Sequence, residues 1–508
     1  MMPEALAAAL SSVFTVEVLL TIFLSALYGL FVGSIPGLTA TMSVALLVPI
    51  TFFLDPVPAV AAIVTTTATA IFAGDIPGAL LRIPGTPASA AYVDEAFTLT
   101  QRGESEKALG ASLVTAAIGG IIGVLLLTLF ANQLAGVAVR FSSMEYFWLG
   151  CLGLTSAVMV SGGSVVRSAL SLLIGLMIST VGIDIATGHP RFTFGEMDLL
   201  DGVSFIPAMI GMFALSQVLR TVTTDLQTES RISPIGSLFS YMVGTVRRYW
   251  LNIMRSSLLG NVLGALPGAG ADIAAWIAYS LSKRFSKTPQ KFGKGYEEGI
   301  VDAGSANNSA VAGAWTPALV FGIPGDSVTA IAIGVLMLKG ITPSPRVFQT
   351  DGDLIYAIFL AFIIANLLLL PLGSLAIRLA RHVLTIPKRV LMPLILVFSI
   401  LGAFAVDNTT FSIGIMLVLG LLAYFMESND IPIAPAILGI VLGKVIEKNF
   451  LITMIKTEGD LLGFFSRPIA AGLGAVTVAL WLYLCLAPLI RAARNKRKQN
   501  HSESETAS

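Results

Sequence analysis

Long apolar segments follow one another along almost the whole chain, and they restrict the fold more than any other feature. Residues 14–35, 108–132 and 354–378 carry at most one charged side chain each. Each is at least as long as the roughly 20 residues that an α-helix needs to cross the hydrocarbon core of a bilayer. The apolar character is continuous, whereas the strands of a membrane barrel alternate polar and apolar residues. The sequence therefore predicts an all-α polytopic membrane protein with about 10–14 transmembrane or re-entrant helices.

The remaining composition excludes several classes of protein. Only 12% of the 508 residues are charged, and the formal net charge is +1, so the charge balance does not favour nucleic acid as a partner. Cys151 and Cys485 lie in apolar segments and are predicted to be small buried hydrophobic residues, so we expect no cofactor. The motifs H-E-x-x-H and G-x-S-x-G do not occur, and an intramembrane enzyme would lack a nucleophile–base pair. The sequence therefore predicts a protein that is not an enzyme.

Two parts of the chain repeat each other. Residues 29–37 (GLFVGSIPG) align with residues 260–268 (GNVLGALPG) at an offset of 231. Residues 77–86 (PGALLRIPGT) align with residues 317–326 (PALVFGIPGD) at an offset of 240. Each copy therefore contains two Pro-Gly breaks, at 36–37 and 84–85 in the first and at 267–268 and 324–325 in the second.

Basic residues predict how these copies lie in the membrane. Five lysines and arginines fall within residues 283–294 and four within 378–389, whereas the connection around Asp55 has none. Basic loops usually face the cytoplasm, so the two copies are predicted to cross the membrane in opposite directions. Such inverted-topology repeats with broken helices are typical of secondary transporters. The predicted organisation is a first repeat half with its following helices (1–230), a second repeat (231–345), C-terminal helices (346–490) and a disordered cytoplasmic tail (491–508).

The Pro-Gly breaks are the predicted functional site. Proline removes an N–H group and glycine frees φ, so polar helix ends are exposed at membrane depth, where they persist only beside a cavity or within protein. Free N–H groups at such ends suit a carboxylate, and nearby oxygens suit a dehydrated cation. The predicted substrate-binding residues are Pro36, Gly37, Thr39, Arg82, Pro84, Gly85, Thr86, Pro87, Ser89, Asn307, Asn308, Pro324, Gly325 and Ser327.

Each of these features also has an ordinary structural interpretation. Gly-x-x-x-Gly pairs at Gly29/Gly33 and Gly260/Gly264 are typical of close helix packing. A lone Pro-Gly pair can be a kink, and a single Ser or Thr can hydrogen-bond to its own helix.

Charged residues near the breaks have alternative roles as well. Burying a charge at membrane depth costs about 2.5–3.5 kcal/mol on insertion scales. Arg82 could pair with a substrate carboxylate, pair with Asp75 or extend to the membrane interface. Asp272 and Asp326, with Thr329, are predicted to coordinate the coupling cation, Na⁺ being the candidate metal, and the alternative is interfacial capping.

Five sequence strings resemble the large membrane subunit of tripartite tricarboxylate transporters. They are GLFVGSIPGL (29–38), RIPGTPASAA (82–91), SANNSAVAG (305–313), FGIPGDSVTA (321–330) and IPIAPAILGIVLG (431–443). The resemblance extends from about residue 15 to 490. Arg82 stands where a small polar residue is more usual, and Asp326 where serine is common.

The resemblance implies the permease subunit of a transporter that imports di- or tricarboxylates across the bacterial inner membrane, driven by a Na⁺ or H⁺ gradient. It implies a small membrane subunit and a periplasmic solute-binding protein as partners, with the lipid bilayer around a multi-pass chain and the C-terminus in the cytoplasm. A homodimer is compatible with it. By analogy with other inverted-repeat transporters, an elevator-like movement is expected. The alternative function is an ion channel or exchanger with a broken-helix pore, which ionic current through a bilayer would reveal.

Overall fold

The computed structural model describes residues 2–160, 164–223, 238–268, 270–383 and 388–484, and within these ranges the chain is almost entirely helical. Two short strands, β1 (Gly182–Ile183) and β2 (Pro190–Arg191), pair antiparallel in a connecting segment. A π-helical stretch, Ile210–Leu215, joins α10 to α11. The helices are α1 (Met2–Val13), α2 (Val16–Gly33), α3 (Ala40–Thr51), α4 (Pro56–Ala73), α5 (Asp75–Leu81), α6 (Val93–Gln101), α7 (Ser105–Ala138), α8 (Ser143–Val160), α9 (Val165–Ser179), α10 (Phe205–Met209), α11 (Ser216–Thr223), α12 (Leu238–Gly264), α13 (Gly270–Phe285), α14 (Glu297–Phe321), α15 (Ser327–Leu338), α16 (Val347–Thr350), α17 (Gly352–Val383), α18 (Lys388–Asp407), α19 (Thr410–Ser428), α20 (Ala434–Lys456) and α21 (Pro468–Leu484).

Length and hydropathy identify the helices that can cross a membrane. Within the described ranges, six helical segments are long and apolar enough: Val16–Gly33, Pro56–Leu81, Ser105–Ala138, Phe205–Val222, Gly352–Ala380 and Thr410–Ser428. Six further apolar helices have 10–17 residues, among them α3 and α15, each of which directly follows a Pro-Gly break. The predicted all-α polytopic membrane fold is thereby confirmed. The predicted tail at 491–508 lies outside the described residues.

The interior of the protein is built around α4 and α14. Every residue from Pro58 to Ala73 and from Gly299 to Val320 is buried. α4 packs against α2, α3 and α17, and α14 packs against α7, α12 and α13. These two helices precede the second break of their respective sequence repeats, so the repeat provides the core as well as the breaks.

The glycine pairs bring the helices of each repeat into backbone contact. A Cβ atom placed on Gly33 would lie 2.6 Å from the carbonyl oxygen of Ala70, and one on Gly264 would lie 2.2 Å from that of Ala310. One turn earlier, the equivalent contacts join Gly29 to Thr66 and Gly260 to Ala306. Since 66 and 70 differ from 306 and 310 by 240, α2 packs on α4 in the same register as α12 on α14. Close packing is therefore the structural role of both glycine pairs.

The helices before the second break of each repeat also end alike. Arg82 ends α5 with φ 60°, and Gly322 ends α14 with φ 65°. The amide N–H groups of Arg82 and Gly322 donate to the carbonyls of Gly78 and Ala318, at 3.0 and 3.2 Å. Glycine adopts this left-handed conformation freely, whereas a residue with a Cβ pays about 1–2 kcal/mol. Arg82 is therefore held in a conformation that suits its glycine counterpart better.

Substituting Gly260 tests whether backbone contact holds α12 on α14. A Cβ atom on Gly260 would lie 2.2 Å from the carbonyl oxygen of Ala306, so Gly260→Ala is expected to lower the free energy of unfolding by about 1–3 kcal/mol. The matched control is Gly136→Ala in α7, where an added Cβ meets no atom within 4 Å, so the better helix propensity of alanine should leave stability equal or slightly higher. The measurement is the temperature at which half of the detergent-solubilised protein loses its monodisperse chromatographic peak. Equal behaviour of the two variants would contradict this packing.

Candidate functional site

All four Pro-Gly breaks open onto one cavity of about 590 Å³. Its lining includes residues that follow each break: Thr39, Ala40, Thr41 and Met42 after the first, Thr86 and Pro87 after the second, Gly268, Ile273 and Trp276 at or after the third, and Asp326, Ser327 and Val328 after the fourth. Asn307 from the middle of α14 also lines it. The breaks are 231 or 240 residues apart in sequence, yet their helix ends meet at one place.

The first break ends α2 and begins α3. Gly37 adopts φ 92°, a left-handed conformation that glycine tolerates. Thr39 is the N-cap of α3, and its hydroxyl accepts a hydrogen bond from the amide of Met42 at 3.2 Å. This bond satisfies one of the free N–H groups at the start of α3 and leaves the others near the cavity.

The second and fourth breaks use the same turn. In the first repeat, the amide of Thr86 donates to the hydroxyl of Ser89 at 3.1 Å, and the amide of Ser89 donates to the hydroxyl of Thr86 at 3.0 Å. In the second repeat, the amide of Thr329 donates to Asp326 Oδ1 at 2.7 Å, and the amide of Asp326 donates to the hydroxyl of Thr329 at 2.9 Å. These residues correspond at the offset of 240. The structure therefore supports the capping alternative for Asp326, which forms a capping box at the start of α15.

The glycines at these two turns allow close approach to the preceding helix. The amide of Gly85 donates to the carbonyl of Gly74 at 3.2 Å, and an added Cβ would lie 2.3 Å from the Cα of Gly74. At the corresponding positions, an added Cβ on Gly325 would lie 2.7 Å from the Cα of Ala314. Each turn thus folds back on the helix before it and directs the following residues towards the cavity.

The third break contacts residues from the first half of the chain. Gly268 adopts φ 76° and lies against the backbone of Gly153, whose carbonyl oxygen would be 2.3 Å from an added Cβ. In α13, the indole N–H of Trp276 donates to the carbonyl of Pro87 at 3.2 Å, which connects the third break to the second. The side chain of Asp272 lies outside the described residues.

Arg82 does not line the cavity. Its Nε lies 2.8 Å from Asp94 Oδ1, and the two side chains are 61% and 60% exposed. The expected alternative of an Arg82–Asp75 pair is wrong, because Asp75 is buried and accepts hydrogen bonds from Tyr92 and Ser112.

The predicted residues divide into two groups by position. Those that line the cavity are Thr39, Thr86, Pro87, Asn307, Asp326 and Ser327. Those that lie outside the lining are Pro36, Gly37, Arg82, Pro84, Gly85, Ser89, Asn308, Pro324, Gly325 and Thr329. Several of the second group shape the turns, and the side-chain amide of Asn308 donates to the carbonyl of Gly304 in its own helix at 3.1 Å.

Sequence reasoning missed a wall of the cavity outside both sets of breaks. Phe213, Ser216 and Gln217 line it from the π-helical stretch and α11, and Glu427 lines it from the end of α19. One oxygen of Glu427 is buried without a hydrogen-bond partner. An acidic residue directly after the apolar segment 411–426 was the available signal, but no repeat pointed to it.

The lining determines which ligands the cavity can hold. Amide N–H groups at helix starts, hydroxyl groups and the Asn307 amide can bind carboxylate oxygens. Hydroxyl, carbonyl and carboxylate oxygens fit a hard cation such as Na⁺. In the part of the chain that the structure describes, His, Cys, Asp and Glu form no group of three or more that could hold a metal ion.

The fold is that of a multi-pass membrane protein with an internal cavity. Residues 19–438 match the Tripartite tricarboxylate transporter TctA family, and the chain belongs to this family. It is therefore a membrane transporter protein, and the family implies a tripartite system with a small membrane partner and a periplasmic one. Membership of a transporter family favours the transporter interpretation over the channel.

Two proteins of Agrobacterium vitis are similar to this chain. One is described as an uncharacterized 52.8 kDa protein in the TAR-I ttuC' 3' region, 35% identical over 474 residues, which cover 93% of this chain and 94% of that protein. The other is described as an uncharacterized protein in the TAR-II ttuC' 3' region, 39% identical over 240 residues, which cover 47% of this chain and 98% of that protein. No solved structure matches the chain.

Two substitutions of Asp326 separate capping from cation binding. Asparagine caps helices about as well as aspartate, so Asp326→Asn should retain stability, whereas Asp326→Ala should lose about 1 kcal/mol. If the charge of Asp326 also binds the coupling cation, both variants should lose at least about tenfold in transport. A tenfold loss corresponds to roughly 1.4 kcal/mol of binding free energy. The measurements are thermal stability in detergent and uptake by reconstituted vesicles. Normal transport by Asp326→Asn would leave capping as the role of Asp326. Arg82→Ala is the control variant for both measurements. It removes an exposed ion pair with Asp94, and exposed ion pairs contribute only about 0.2–1 kcal/mol to stability.

Proposed function

We propose that this chain is the permease subunit of a binding-protein-dependent secondary transporter that imports di- or tricarboxylates across the bacterial inner membrane. A Na⁺ or H⁺ gradient drives the import. A small membrane subunit assembles with the chain, and a periplasmic solute-binding protein delivers the substrate. The proposal rests above all on the convergence of the four breaks on one cavity.

The size and polarity of the cavity support a small carboxylate as substrate. About 590 Å³ lies within the range of roughly 300–1,000 Å³ that is usual for small-molecule sites. The starts of α3 and α15 face it, so the positive ends of two helix dipoles come from opposite repeats. Two or three carboxylate groups on one short molecule can then be bound at separate helix starts.

The acidic lining supports coupling to a cation. Asp326 and Glu427 both line the cavity that must hold an anionic substrate. Like charges within a few ångströms repel strongly in a low-dielectric site. A cation or proton that binds with the substrate reduces this repulsion, so substrate and coupling ion stabilise each other's binding.

Uptake of labelled succinate and citrate tests the proposal directly. Vesicles that contain this chain, the small membrane subunit and the binding protein should accumulate one of the acids only when a Na⁺ or H⁺ gradient is imposed. Omitting the binding protein should abolish uptake, and vesicles without this chain provide the background. Uptake that persists without any gradient would contradict coupling, and ionic current without carboxylate would favour a channel.

Labelling from one side of the membrane tests the inverted topology. In a variant without Cys151 and Cys485, a cysteine at Asp55 should react with a membrane-impermeant maleimide added to intact spheroplasts. A cysteine at Lys287 should react only after permeabilisation, because its basic loop is predicted to be cytoplasmic. Both positions are exposed, so differences in reactivity report the side of the membrane. Reaction of both cysteines in intact spheroplasts would rule out opposite orientations for the two repeats.

A further inference from the structure

A second, smaller cavity lies in the first repeat, beside the large cavity of about 590 Å³. Its volume is about 10 Å³, close to the space that a single water molecule needs. Polar side chains of Asp75, Ser89, Tyr92 and Ser112 contribute to its lining, together with small apolar residues. It lies between the start of α5, the turn after the second break and α7.

Asp75 is the central group of this small cavity. Its side chain is buried, and the residue is only 4% exposed. The hydroxyl of Tyr92 donates to Asp75 Oδ1 at 2.7 Å, and the hydroxyl of Ser112 donates to Oδ2. Both donors are neutral, so neither compensates the charge of an ionised carboxylate.

The charged side chains on the surrounding helices have other partners. Tyr92 is the titratable side chain that contacts Asp75, and in the described ranges no lysine, arginine or histidine forms an ion pair with it. The remaining groups pair elsewhere: Asp94 with Arg82, Glu95 with Tyr279, Lys107 with Glu104, and Asp302 with Arg255. An isolated carboxylate at membrane depth carries a high desolvation cost, which binding a proton removes.

A chain of hydrogen bonds connects Asp75 to the large cavity. The side-chain amide of Asn307, which lines the large cavity, donates to the hydroxyl of Tyr92 at 3.5 Å, and Tyr92 donates to Asp75. In addition, Ser89, which lines the small cavity, exchanges hydrogen bonds with Thr86 of the large cavity. The charge state of Asp75 can therefore affect groups that contact the substrate.

The second repeat has no carboxyl group at the corresponding position. Residue 75 aligns with Trp315 at the offset of 240, although the turns and glycine contacts around the two positions agree. Trp315 is fully buried, and its indole N–H has no hydrogen-bond partner. Packing of this turn therefore does not require an acid, and the carboxyl group at this position is present only in the first copy.

We propose that Asp75 binds the proton that couples to substrate transport, an inference that rests on the proposed function and specifies its coupling ion. The proton adds to a carboxylate oxygen and neutralises the side chain. The resulting O–H can donate to Ser112, whose hydroxyl then acts as acceptor. Neutralisation removes a negative charge next to a cavity for anions, so the protonated form binds a carboxylate more tightly.

The test measures succinate and citrate binding to the purified chain in sodium-free buffer as a function of pH. Above the pH at which the acid itself is fully ionised, the dissociation constant of wild-type protein should rise by up to about tenfold per pH unit. Calorimetry in two buffers of different ionisation enthalpy should detect protons taken up with the ligand. Asp75→Asn, which keeps the shape but cannot titrate, should bind the acid without proton uptake and with little dependence on pH.

Two further variants keep the test decisive if Asp75→Asn folds poorly. Ser112→Ala retains the carboxyl group and removes a donor to its ionised form, so the midpoint of the binding curve should move to higher pH. Glu95→Gln is the matched control, because Glu95 is fully buried and hydrogen-bonded to Tyr279 and backbone amides but does not line the large cavity. It should retain the proton uptake of the wild type.

The outcomes distinguish this inference from the proposed function. Binding that depends on Na⁺, with the same pH dependence in wild type and Asp75→Asn, would overturn the inference and leave the transporter intact. An unchanged midpoint in Ser112→Ala would also argue against it. Absence of binding for both acids at every pH would overturn the proposed substrate class and the inference together.

Discussion

The cost of leaving backbone groups unpaired at membrane depth governs this structure. Each Pro-Gly break interrupts a helix and frees N–H and C=O groups that lipid cannot satisfy. The protein meets this cost with side-chain caps at Thr39, Thr86 and Asp326 and by directing all four breaks to one place. Once the helix ends meet, a cavity with polar groups among its apolar lining follows. The convergence of the breaks and the position of the cavity both depend on that requirement.

Sequence patterns predicted the parts of the site that follow from the repeat. Residues after matching Pro-Gly pairs, such as Thr39, Thr86 and Asp326, meet at the cavity because the repeat places equivalent helix ends symmetrically. Arg82 was harder to predict, because the sequence offers several acidic partners and only the structure pairs it with Asp94. Glu427 and Gln217 come from helices without a matching repeat, and periodicity alone does not reveal which helix closes a cavity. Local sequence patterns thus predict where a helix ends, whereas the residues that form the other wall of the cavity can be identified only from the tertiary fold.

Departures from the internal symmetry carry as much information as the symmetry itself. The turns at residues 86–89 and 326–329 agree down to their reciprocal hydrogen bonds. The two copies differ, however, at positions 75 and 315, where the first has an aspartate and the second a tryptophan. Packing of this turn therefore does not by itself require an acid. Under the proposal that Asp75 binds the coupling proton, one titratable site in one of the two copies is sufficient.

The glycine contacts have a mechanical consequence. Where α2 lies on α4, and α12 on α14, the glycines lie directly against backbone atoms of the partner helix. A side chain can change rotamer when a neighbouring helix moves, but a backbone carbonyl cannot. If either helix moved along its partner, the Cβ atoms of neighbouring residues would clash with the carbonyl oxygens that the glycines now contact. Each of these two helix pairs therefore behaves as one rigid unit. Any change in access to the cavity therefore has to occur outside these helix pairs, at contacts such as the single hydrogen bond from Trp276 in α13 to Pro87.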